Sequence, residues 1–93
     1  MFSFYNISYK LGHLNNSILV SGELQNSSTK SYSYALFRIF LFDKHRKIIG
    51  SGIIKLADFK NSSTRQFEVL VEDVSYVTLK GITSCDIILD SGY

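Results

Sequence analysis

The stretch RIFLFDKHRKIIGSG, residues 38–52, runs apolar from Ile39 to Phe42, halts at Asp43, crosses four polar residues and resumes at Ile48. A run of that length flanked by turn-forming residues reads as strand, charged turn, strand. Upstream it extends to YALFRIFLFD, residues 34–43, in which both alternating sets are apolar: Ala35, Phe37, Ile39 and Leu41 against Leu36, Phe40 and Phe42. Two-sided apolarity predicts a central strand covered on both faces. A buried helix is the rival reading, and the aromatic content with the turn after Asp43 tells against it. Arg38 interrupts one face and is expected to reach its rim.

The same period of two recurs outward from this hairpin. Residues 4–11 alternate Phe4, Asn6, Ser8 with Tyr5, Ile7, Tyr9, Leu11, and residues 17–25 set Ile18, Val20, Gly22 and Leu24 on one face. IIGSGIIKLADF, residues 48–59, makes the return strand, with Gly50 and Gly52 marking a bulge or a close backbone approach. Residues 65–73 place Phe67, Val69 and Val71 inward, and residues 83–90 place Cys85, Ile87 and Leu89 on one face. The segment 74–82 reads as a short strand or a crossing connection. NSSTKSYS at 26–33 and KNSST at 60–64 are loops. The expectation is an all-β antiparallel β-sandwich of six to seven strands in one domain over residues 1–93.

Composition agrees with that class. Hydrophobic residues make up 45% and charged residues 19% of the 93, which suits a globular chain, and Phe and Tyr are abundant while Trp and Pro are absent. The formal charge of +2 is too small to call for a polyanionic partner, so no nucleic acid is expected. Met1 leads straight into FSFYNISY, so no targeting segment is read, and the longest nearly apolar run falls short of the ~20 residues that span a bilayer. Cys85 is the only cysteine, which rules out an internal disulfide and leans towards a reducing compartment.

Several short motifs resemble the FxLYD domain family. Ile39-Phe40-Leu41-Phe42-Asp43 resembles its F-x-L-Y-D signature, and SGELQNSS at 21–28 its second strand and following loop. IIGSG resembles the segment after the turn, SSTRQFEV at 62–69 the lead-in to the next strand, and LKGITSCDIIL at 79–89 the last strand. The resemblance spans about residues 17–90 and departs from the pattern where Arg46 and Asn61-Ser62 replace turn glycines. Both sites call for a positive φ, so either the turns differ in type or strain is stored there. The resemblance implies an immunoglobulin-like sandwich of the kind found in bacterial and archaeal extracytoplasmic or membrane-anchored proteins, with no established catalytic residues.

Catalytic residue types are scarce. His13 and His45 both fall in connections, and with Cys85 and scattered carboxylates they lack metal-ligand spacing, so no metal or cofactor is expected. Cys85 reads as a small buried hydrophobe rather than a nucleophile. Asp43 reads as a turn residue bonding nearby N–H groups, and Asp86 and Asp90 as solvated charges on one strand face. GSG lies inside a strand and lacks the lysine and helix of a phosphate loop. Sequons at Asn6, Asn15, Asn26 and Asn61 read as loops. What remains are partner-contact candidates: the basic turn Lys44, His45, Arg46, Lys47, and the outward aromatics Phe40 and Phe42. Leu19 and members of the first strand (Tyr5, Tyr9 and Leu11, or else Phe4) add further outward apolar surface. The expected function is therefore a non-enzymatic module that binds or spaces through protein contacts in an envelope or surface protein. The alternative is an intracellular interaction domain that dimerises through a sheet edge or an apolar sheet face.

Overall fold

A computed structural model describes residues 2–12, 17–72 and 81–93. Six strands are present among them: β1 (Phe2–Leu11), β2 (Ile18–Asn26), β3 (Tyr32–Phe42), β4 (Ile48–Phe59), β5 (Thr64–Val71) and β6 (Ser84–Gly92). They form two three-stranded antiparallel sheets, ordered β1-β2-β5 and β4-β3-β6. The chain thus changes sheet between β2 and β3, between β4 and β5, and between β5 and β6, and its two layers enclose one core. That is the all-β sandwich the alternation predicts. Most of segment 74–82 lies outside the described residues, as does His13.

The core follows from the pleat. Successive side chains on a strand point to opposite faces, so one parity of each strand meets the other sheet. Ile18, Val20 and Leu24 of β2, Ala35, Phe37, Ile39 and Leu41 of β3, Ile54, Leu56 and Phe59 of β4, and Phe67, Val69 and Val71 of β5 are buried. Each large side chain taken from water contributes roughly 1.5–3 kcal/mol. At one end Phe2, Phe37 and Phe59 pack as an aromatic trio, Phe37 standing edge-on to Phe2 at 5.0 Å between centroids and to Phe59 at 5.9 Å.

Two readings of the alternation need correction. β1 does not keep one parity: the register with β2 shifts between Tyr5 and Ser8, and Asn6 sits at φ 54° in this bulge. Phe2 therefore packs inward before the bulge and Ile7 and Tyr9 inward after it, while Phe4 and Tyr5 are both exposed. An extra residue in one strand reverses the faces beyond it, and Asn accepts the left-handed conformation the bulge needs. The second correction concerns β3. It is the central strand of its sheet, yet only its inner face is covered; Leu36, Phe40 and Phe42 keep part of their surface open.

The glycine expectation for β4 holds in both forms. The register shifts between Leu41 and Phe42, opposite Gly50, and at Gly52 an added Cβ would stand 3.0 Å from Val69 Cγ2 of the facing sheet. The two turns that lack glycine do adopt positive φ, 62° at Arg46 and 63° at Ser62. A non-glycine residue there costs on the order of 1 kcal/mol. Ser62 donates its backbone N–H to the Asn26 carbonyl at 2.7 Å, a bond glycine keeps. Ser62→Gly is accordingly expected to stabilise the fold by about 0.5–1 kcal/mol, read as a rise in the urea midpoint; a fall in the midpoint would show that the turn is unstrained.

Candidate functional site

The two outer faces of the sandwich differ in chemistry. On the β1-β2-β5 side the exposed ladder is polar. Ser8 and Ser21 share a hydrogen bond at 2.8 Å, Asn6 donates to Glu23 at 3.3 Å, and the Tyr5 hydroxyl donates to Gln25 at 3.0 Å. Gln66 and Glu68 continue this face on β5, paired with Glu23 and Ser21. Leu19 and Leu70, which pair with each other, are its half-buried apolar exceptions.

On the β4-β3-β6 side the outer face sets apolar side chains among charged ones. β3 presents Leu36, Phe40 and Phe42, and its neighbours present Ile53, 43% exposed, and Ile88, 50% exposed. Registry places Ile53 and Ile88 on either side of Arg38, which pairs with both. Ile48, 58% exposed, pairs with Phe42 at the hairpin end. Arg38 is the charged residue at the centre, and its Nη2 lies 3.5 Å from Asp90 Oδ2, so it stays on the surface rather than reaching the core. A half-exposed pair of this kind adds little stability. Apolar side chains left this open around a charged centre make this face the candidate contact surface.

The basic turn stands beyond one end of that face. Asp43 Oδ1 accepts the backbone N–H groups of His45, at 2.8 Å, and Lys47, at 3.0 Å, which is the turn role its position suggests. These bonds, the Lys47 one foremost, hold the Asp43 carboxyl below its ordinary range. A depressed folded value means this stabilisation is present above the unfolded pKa near 4 and lost as the pH falls through the folded value. Asp43→Asn should therefore flatten the loss of thermal stability as the pH falls below about 4; an unchanged acid slope would contradict this role for Asp43. Lys44, His45, Arg46 and Lys47 are all exposed, and the Arg46 guanidinium lies 5.4 Å above the Phe42 ring, joining the tip to the apolar face.

The structure thus brings Phe40, Phe42 and Arg46 together, and adds Leu36, Ile53 and Ile88, which reading strand by strand left unconnected. Cys85 lies half-buried on the inner side of β6, packed against the core as Tyr9 of β1 is. Burial pushes its thiol up, so Cys85 is protonated at neutral pH. No group of three or more metal-ligating side chains occurs among the described residues, nor any helix long and apolar enough to cross a membrane.

Asn26 was read as part of a loop and is instead the buried end of β2. Its Nδ2 donates to the carbonyls of Lys30, at 2.9 Å, and Phe59, at 3.2 Å, and its Oδ1 accepts from the Ser28 N–H and hydroxyl. Its backbone bonds Ser62 and Ser63. The signal was available: Asn26 continues the parity of Ile18, Val20, Gly22 and Leu24 and begins an Asn-Ser-Ser turn. Asn6 also lies in a strand, whereas Asn61 is in an exposed turn.

No family model, no curated protein and no solved structure matches this chain.

Proposed function

We infer that this chain is a non-enzymatic FxLYD-like β-sandwich module acting through protein contacts in a bacterial or archaeal cell-envelope or surface protein, with the outer face of β4-β3-β6 as its contact surface. The observation that supports this is the asymmetry between the two outer faces. One carries a ladder of serine, glutamine and glutamate bonds, and the other carries Ile53 and Ile88 exposed beside the half-buried Leu36 and Phe40. Exposed apolar surface costs solubility, and a partner that covers it gains the burial energy at no cost in folding. The basic tip beside it biases orientation and encounter rate rather than affinity.

The test is site-specific photo-crosslinking in the native source. A photoreactive residue replacing Leu36 is expected to give one discrete protein adduct, and the same residue replacing Gln66 on the opposite face none. Equal adducts at both positions, or none at Leu36, would overturn the assignment.

A further inference from the structure

We propose that the occupant of this face is a second copy of the chain, its β4-β3-β6 sheet laid face to face on the first about a two-fold axis parallel to β3. The proposal rests on the docking role of the face and names the partner.

Charge placement favours it. The outer face carries Lys55 on β4, Arg38 on β3, and Asp86 and Asp90 on β6, so it is neutral but polarised across the strands. Rotation about an axis along β3 lays β4 of each copy over β6 of the other. Lys55 is level with Leu36, and Leu36 is level with Ser91, so the partner's Lys55 arrives beside Asp90. Ile53 and Ile88 are both level with Arg38, so each meets the other across the interface. Leu36, Phe40 and Phe42 meet their own copies near the axis. Each Arg38 leans to its own Asp90, away from the axis, which separates the two guanidinium groups.

The competing symmetric arrangements lack this fit. An in-plane axis across the strands at the level of Ile88 lays β6 over β6 antiparallel and sets Asp86 against the partner copy's Asp90. Pairing the free edges of two β6 strands about Ile88 places Asp86 beside the partner's Asp90, a like-charge cross-strand contact that is destabilising. The chosen arrangement has one opposing contribution. Both basic tips come to the same end, a repulsion largely screened at physiological salt, where charges lose sight of one another beyond about 8 Å. In area, three strands of about eleven residues cover roughly 36 by 14 Å. Two such faces bury about 1,000 Å², the lower bound for a specific interface, so the dimer forms reversibly.

Sedimentation equilibrium with charge-swapped chains tests this. The wild type is expected to dimerise at about 100 μM, and Lys55→Glu and Asp90→Lys alone to weaken the dimer by about tenfold or more. An equimolar mixture of the two variants restores it, because the mixed pair regains both opposite-charge contacts. Ile88→Asp, which leaves Asp90 and its bond to Arg38 in place, should also give monomers with an unchanged melting profile. A wild-type monomer at that concentration, or a mixture no tighter than either variant alone, overturns the self-pairing. Neither result removes the docking role itself, which fails if Leu36 gives no crosslink or gives one no different from Gln66.

Discussion

Phe37→Ala is expected to be the most damaging single truncation in the chain, costing about 4 kcal/mol. Phe37 is wholly buried, and its ring fills the space between Phe2 and Phe59 with edge-on contacts to both. Removing it loses the transfer energy of a phenyl group and leaves a cavity lined by side chains held on two separate sheets, which cannot close without moving a strand. A domain of this size has roughly 5–15 kcal/mol in hand and lies towards the lower end, so a large part of the folded population is lost. Phe40→Ala, three positions along the same strand, should cost less than about 1 kcal/mol, because Phe40 faces outward. Urea unfolding of the two variants side by side measures the contrast; comparable losses would show that the two faces of β3 are not inner and outer.

The second large effect is polar. Asn26→Ala is expected to cost about 3 kcal/mol, since it removes four side-chain hydrogen bonds at a wholly buried position and strands the Phe59 carbonyl without its donor. Asn26 joins three segments: the turn at Ser28 and Lys30, the end of β4 at Phe59, and, through its backbone, the turn at Ser62 and Ser63. Ser28→Ala, which removes one hydroxyl at the part-buried rim, should cost about 1 kcal/mol. An Asn26→Ala variant no less stable than Ser28→Ala would mean that water replaces the amide there.

These two sites also mark how far the fold was legible beforehand. Strand parity is a local property, so residues 18–24 and 67–71 sort into inner and outer sets from spacing alone, whereas residues 35–41, apolar in both parities, do not. The β1 bulge was not legible, because the single added residue is an asparagine whose left-handed backbone leaves no hydrophobic trace in the pattern. Asn26 was misread for a related reason: an Asn-Ser-Ser string looks like a loop unless its parity with Ile18, Val20 and Leu24 is followed to the end. The contact surface was half legible. Phe40 and Phe42 stood out as an apolar excess, but whether that excess faces a third layer or open solvent depends on what the rest of the chain covers, which is a tertiary fact. Ile53 and Ile88 join the surface only once β4 and β6 flank β3, and that order is set by pairing between segments far apart in sequence. The positive φ at Arg46 and Ser62 is what the resemblance implies, since its pattern sets a glycine at each of these turns.

Carbene footprinting tests the central claim most directly, comparing the isolated chain at low micromolar concentration with the protein in its native source. The account predicts that Leu36, Phe40, Ile53 and Ile88 label readily in the dilute chain and are shielded in the native setting, while Tyr5 and Phe4 label equally in both. Equal labelling of the β4-β3-β6 face under the two conditions would contradict it.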